Sequence, residues 1–176
     1  GGENWEQMID GPFLSNRNLD LHGVAVTAAA PDNVFICTCV GLFRSRDKGN
    51  HWEHVPVKNL FTLITENKEF PAGGAYCRAI SVAPNDPKTI YVTASCGGGN
   101  VLPGTKRAAY ICRSRDVGET WELLDLEGDP ATGNMSQIAI DQANPSHVYC
   151  NTRLGHVYAS KNGGDTFSLS QLPLDL

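Results

Sequence analysis

The sequence has no long apolar run, no charged-then-apolar start, no surplus of basic residues and no CxxC cysteine pair. Each absence excludes a class of protein. The longest apolar stretches are strand-sized, so no transmembrane helix is expected. The N-terminus lacks the regions of a signal peptide, which makes the cytoplasm the expected compartment. With 14 Lys and Arg against 19 Asp and Glu, the net charge of -5 argues against nucleic-acid and anionic-membrane partners, which need concentrated cations to displace counterions. There is no CxxC pair and no Cys/His cluster with zinc spacing, so neither a metal nor a cofactor is expected. The six cysteines then read as free, buried, small apolar residues in a reducing compartment. Sustained 3.6-residue periodicity is missing too, with one faint helical option over residues 59–69. Eighteen glycines, ten prolines and many β-branched residues instead predict an all-β chain.

What is present is a repeat. Ser45-Arg-Asp47-Lys-Gly49-Asn-His-Trp52 returns as Ser114-Arg-Asp116-Val-Gly118-Glu-Thr-Trp121 and as Ser160-Lys-Asn162-Gly-Gly164-Asp-Thr-Phe167. Gly2-Glu-Asn-Trp5 reads as the second half of a further copy. Similarity extends beyond the turn, because Val26 to Val34, Val82 to Ile90 and Ile140 to Val148 span equal distances. Between those anchors lie the turn formers Pro31-Asp-Asn, Pro84-Asn-Asp-Pro87 and Asn144-Pro-Ser. Period-2 alternation in Val24-Ala-Val26, Ile80-Ser-Val82 and Ile138-Ala-Ile140 marks the first strand of each repeat. A third strand runs into the repeated Ser and a fourth leaves from the aromatic residue. Four-stranded antiparallel units of about 45 residues are the signature of β-propeller blades.

Within the repeated turn, Ser and Asp or Asn side chains can bond the turn's own N–H groups, Gly permits positive φ, and the aromatic ring can lock the hairpin onto its sheet. The pattern resembles the Asp-box, or BNR repeat, of sialidase-like β-propellers, and the likeness covers essentially the whole chain. It implies three four-stranded blades over residues 19–57, 75–126 and 134–172, with residues 1–10 as the outer strand of a preceding blade. Three blades cannot enclose a channel, since propellers need 4–8. The chain is therefore expected to be part of a six- to eight-bladed ring, or to be completed as a homo-oligomer.

The resemblance gives the boxes a structural role and places any working face at the opposite strand ends. His22, Arg78 and Ser136 stand four residues before the first-strand anchors, and Cys39, Ser95 and Arg153 occupy the matching strand-end position. The insertion before Ala109 adds Lys106 and Arg107. His22, Arg78, Arg107 and Arg153 are thus the candidate ligand-binding residues for a carboxylate or phosphate, which arginine grips in bidentate fashion. No catalytic residue is assigned. Sialidase chemistry would require an Arg-Ile-Pro segment and a Tyr/Glu pair, and glycoside hydrolysis generally needs two carboxylates across the bond. Cys39 in Cys37-Thr-Cys39-Val-Gly41 stands where xyloglucan-degrading relatives carry an Asp. A non-catalytic scaffold for an anionic or carbohydrate ligand or a protein segment is the leading reading. A glycoside hydrolase fragment or degenerate relative is the alternative.

Overall fold

The computed structural model of the protein describes residues 2–5, 20–55, 76–95, 109–126 and 135–171. They form three four-stranded antiparallel sheets, with no helix among the described residues. Sheet one holds β1 (Leu21–Thr27), β2 (Ala30–Thr38), β3 (Gly41–Ser45) and β4 (Glu53–His54), paired in chain order. Sheet two holds β5 (Tyr76–Ala83), β6 (Asp86–Ser95), β7 (Ala109–Ser114) and β8 (Glu122–Leu123). Sheet three holds β9 (Met135–Ile140), β10 (Val148–Thr152), β11 (His156–Ser160) and β12 (Ser168–Gln171). The first strands β1, β5 and β9 pack side by side, as the innermost strands of neighbouring blades do. The faint helical option at residues 59–69 lies outside the described residues.

The registers repeat as the spacing requires. Val26 pairs with Val34, Val82 with Ile90 and Ile140 with Val148. One detail differs from the sequence reading: Pro31-Asp-Asn and Asp86-Pro87 lie inside β2 and β6, and the chain turns earlier, at Ala28–Ala29 and Pro84–Asn85. The Thr27 hydroxyl accepts the Ala29 N–H at 3.3 Å and donates to the Pro87 carbonyl, so a side chain closes the first turn before the proline is reached. A register shift accompanies each early turn.

Alternation along the strands produces two faces per sheet, and the sheets bury them against one another. One core lies between sheets one and two, where Phe35, Cys37, Leu42 and Val55 meet Ile90, Val92, Tyr110 and Cys112, with Ile80 and Val82 packed on its edge. A second lies between sheets two and three, where Tyr91, Ile111, Leu124 and Leu126 meet Met135, Val148, Tyr158 and Phe167. A fully buried side chain of this size stabilises by about 1.5–3 kcal/mol relative to exposure. No sheet could retain that contribution alone.

The three turns are built alike. Ser45 Oγ accepts the Gly49 N–H at 2.7 Å and donates to Asp47 Oδ1 at 2.8 Å, and the same oxygen of Asp47 accepts the His51 N–H at 2.8 Å. Ser114, Asp116, Gly118 and Thr120 repeat this at 2.7, 2.8 and 2.8 Å. Ser160, Asn162, Gly164 and Thr166 repeat it at 2.8, 2.8 and 3.0 Å, so an amide oxygen replaces the carboxylate without loss of the pattern. A backbone bond then ties each turn to the β1–β2-type hairpin of its own sheet: Lys48 to Asp32, Val117 to Lys88 and Gly163 to Ser146.

The half-copy keeps the local geometry. Gly2 has φ +88, and the Trp5 ring lies over it at 3.6 Å from an ideal Cβ position, much as Trp121 covers Gly118 at 3.4 Å. Trp5 is 88% exposed and in no strand, so it anchors nothing among the described residues. Residues 6–10 of the expected outer strand lie outside them.

Candidate functional site

Topology gives each blade two ends. The repeated turns and the β1–β2-type hairpins occupy one, and the beginnings of β1 and β5 together with the β2–β3 and β10–β11 turns occupy the other. His22, Arg78 and Arg153 belong to this second end.

Packing of β1 against β5 brings His22 and Arg78 into one cluster around Tyr76. Nδ1 of His22 lies 2.8 Å from the Cys77 carbonyl, which can only accept, so that nitrogen carries a proton. Nε2 lies 3.0 Å from the Tyr76 hydroxyl and 3.0 Å from Asp20 Oδ2, and with the proton on Nδ1 it accepts from Tyr76. Arg78 donates from Nη2 to the Tyr76 hydroxyl at 3.1 Å and places its guanidinium carbon 5.2 Å from the centroid of that ring. Its Nε is buried without a hydrogen-bond partner.

The other candidates fare differently. Arg153 is exposed in the β10–β11 turn, one blade further on, and makes no ion pair among the described residues. Arg107 and Lys106 lie outside the described residues. Ser95, at the matching strand end, is 1% exposed, and its hydroxyl accepts the Met135 N–H at 3.3 Å, tying sheet two to sheet three. Cys39 is half-buried beside Asp20, whose carbonyl accepts its N–H at 3.2 Å. Ser136 is half-buried in β9.

Tyr76 and Asp20 were not legible as site residues. Each stands two positions before a candidate, but only the contact between blades gives them a role. Among the described residues no group of three or more metal-ligating side chains occurs.

Elsewhere the arginines are consumed. Arg44, 7% exposed, donates to Glu53 at 2.8 Å and across the blade boundary to Glu119 at 2.9 Å; Arg46 adds to both acids. Arg113, 4% exposed, donates to Glu122 and to Asp165 of the next blade, each at 2.7 Å, with Arg115 outside it. The Arg46 hydrogen bonds, reinforced by Arg44, hold Glu53 and Glu119 below the usual carboxylate range; Arg113 does the same for Glu122.

No known protein family matches the chain, and no curated protein does. Solved structures match it well. An ancestral GH74 enzyme superposes with a TM-score of 0.66 at 21% identity, over 88% of this chain and 19% of its own. YCF48 from Cyanidioschyzon merolae gives 0.61 at 18% identity, over 89% and 42%, and a structure of YCF48 bound to D1 peptide gives 0.52 at 15%, over 85% and 40%. The fold is a partial β-propeller. This chain spans less than half the length of these neighbours, and at such identities the likeness speaks for fold alone.

Proposed function

We propose that the protein is a non-catalytic scaffold of the Asp-box type that binds an anionic partner, a carboxylate-bearing protein segment, at the strand ends around His22, Tyr76, Arg78 and Arg153. The observation that carries this reading is the sorting of arginines. Of those described, Arg44, Arg46, Arg113 and Arg115 are neutralised by carboxylates at the turn end, whereas Arg78 and Arg153, at the opposite end, make no ion pair. Arg78 is also oriented by stacking on Tyr76, so little freedom is lost when an anion arrives. YCF48, of similar fold, is known with a bound D1 peptide, which makes peptide capture by such a scaffold reasonable.

Among the described residues the glycoside hydrolase alternative finds one acid in contact with the cluster, Asp20, and it is engaged by His22. Titration with an acidic peptide and with its amidated, uncharged counterpart tests the proposal. The acidic peptide should bind, the neutral one should not, and Arg78→Met should weaken binding about tenfold, the loss of one charge-assisted contact of roughly 1.5 kcal/mol. Equal affinity for both peptides sinks the reading. Turnover of chromogenic glycosides, abolished by Asp20→Asn, would favour the enzyme.

A further inference from the structure

The two internal blade junctions share one design. An aromatic residue of the second strand seats on the next turn's glycine: an ideal Cβ on Gly118 would lie 2.8 Å from Phe35, and one on Gly164 would lie 3.3 Å from Tyr91. The cross-strand partner of that aromatic residue is an arginine, Arg44 or Arg113. A glutamate of its own fourth strand, Glu53 or Glu122, and the acid after the next glycine, Glu119 or Asp165, close on the arginine as a clamp.

Three equivalent positions differ, and each difference opens or polarises the second junction. Val117, packed on the core between sheets one and two, is replaced by Gly163. Their φ values are 59° and 68°, so a side chain is lost while the backbone is kept. Phe35 is replaced by Tyr91, whose hydroxyl donates to the Gly163 carbonyl at 2.8 Å and would lie 3.9 Å from an ideal Cβ on Gly163. Glu119 is replaced by Asp165, one methylene shorter. Arg46 therefore meets Glu53 and Glu119 at 2.9 Å, whereas its equivalent, Arg115, comes only within 3.4 Å of Glu122 and Asp165. The outcome is a pocket of about 290 Å³ at the turn end between blades two and three, lined in part by Asp86, Thr89, Tyr91, Arg115, Asn162 and Asp165.

Hydrogen-bonding capacity is left over on these walls. Asp86 accepts the Lys88 N–H at 3.2 Å and the Thr89 hydroxyl at 2.6 Å, two of the roughly four sites a carboxylate offers. The Thr89 and Tyr91 oxygens, having donated their protons, can still accept. Asp165 receives Arg113 and Arg115 on Oδ1, which leaves Oδ2, and Asn162 spends one amide proton on Thr166. Charge is balanced as well: buried Arg113 neutralises Asp165, so Arg115 is left to face Asp86. Donors and acceptors side by side without net charge suit groups that both give and take a hydrogen bond, which hydroxyls do. At the lower end of the roughly 300–1,000 Å³ of small-molecule sites, the pocket has room for one ring of them. We infer that it binds a neutral saccharide through one pyranose unit, with Arg115 donating to ring hydroxyls and Asp86 accepting from them. The site lies at the opposite end of the blades from His22 and Arg78 and does not rest on the binding face proposed above.

Titration of the isotope-labelled protein with methyl glucoside, methyl galactoside and methyl mannoside, followed by backbone amide NMR, tests this. At least one glycoside should shift the amides of Asn162, Gly163 and Asp165 saturably in the millimolar range, the strength expected where each new hydrogen bond replaces one to water. Saturable shifts with none of the three overturn nothing less than the whole inference if they are absent. Glucuronate and glucosamine are the charged counterparts, and tighter binding of either than of every neutral glycoside would make this an ion site and overturn it too. Gly163→Val restores the side chain of the first junction at a φ that Val117 already adopts, and should abolish binding in a protein whose circular dichroism is unchanged. Arg115→Ala, at an exposed position that the fold does not need, should weaken binding about tenfold, the loss of one charge-assisted contact. Unaltered affinity in Arg115→Ala, or in folded Gly163→Val, means that the sugar sits elsewhere.

Discussion

Arg113 and Tyr91 stand opposite each other in the β6–β7 ladder, and both donate to the carbonyl oxygen of Gly163 in the next blade. That oxygen sits inside the left-handed part of the repeated turn, where Gly163 and Gly164 have φ of 68° and 91°. The turn thus presents a carbonyl and an acid side chain to its neighbour, and the neighbour answers with a phenol and a guanidinium. Removing the guanidinium leaves Glu122 and Asp165 about half exposed, able to recover water. Arg113→Ala should therefore cost about 2 kcal/mol, within the range for hydrogen bonds to charged groups. Urea denaturation of Arg113→Ala, Asp165→Ala and the double variant should show coupling between the two; additive losses would remove the clamp from the stability account.

The glycines of one turn should respond very differently to the same change. An added Cβ at Gly164 would lie 2.9 Å from Leu124 Cδ1 and 3.3 Å from Tyr91 Cε1, whereas at Gly163 the nearest atom is 3.9 Å away. Gly163→Ala carries only the left-handed penalty of about 1–2 kcal/mol, and Lys48 and Val117 already occupy that conformation in the other turns. Gly164→Ala adds overpacking of about 1–3 kcal/mol to it. Thermal melts of the two variants should separate clearly, and equal losses would contradict the seating of Tyr91 on Gly164.

The parts of the fold that were legible are those written by local chemistry. Ser45, Asp47 and Gly49 bond one another within five residues, so their repetition is visible without a structure, and the strands follow from alternation around Val26, Val82 and Ile140. The site was legible only in part. Tyr76 meets His22 across 54 positions of chain, and neither residue type nor spacing announces that contact. The arginine clamp occupies middle ground. Arg44 and Arg113 both precede the repeated Ser, a signal open to view, yet its meaning lies in Glu119 and Asp165 on the following blade. The early turns were misplaced for a similar reason, since the Thr27 hydroxyl, rather than the proline behind it, closes the hairpin.

Burial sets the reactivity of the thiols. Cys37, Cys77, Cys112 and Cys150 are free and buried, and desolvation raises all four, to about 12 for Cys77 and Cys150. Thiolate is the reactive form, so these residues should resist alkylation in the folded protein. Mass-spectrometric mapping after iodoacetamide should find Cys39, half-buried, modified ahead of them. Unfolding should release all four at once; rapid native labelling of Cys77 would contradict the core between sheets one and two.

Asp47 makes the first turn sensitive to acid in a way the third is not. Hydrogen bonds from the His51 side chain, the His51 N–H and Ser45 lower its carboxyl to about 2 from the usual 3.8. A group whose folded value is depressed stabilises the protein fully above its unfolded value and loses that contribution as pH falls through the folded one. The window therefore opens near 3.8 and closes near 2. Asn162 performs the same backbone duties with an amide, accepting from Thr166 N–H at 3.0 Å and from Ser160 at 2.8 Å, and it does not titrate. Asp47→Asn should thus leave the turn formed while removing one source of acid sensitivity. Urea midpoints for the two proteins should differ most at neutral pH and converge as pH falls from about 4 to about 2. A constant offset across that range would mean that the carboxylate charge at Asp47 contributes nothing to the folded turn.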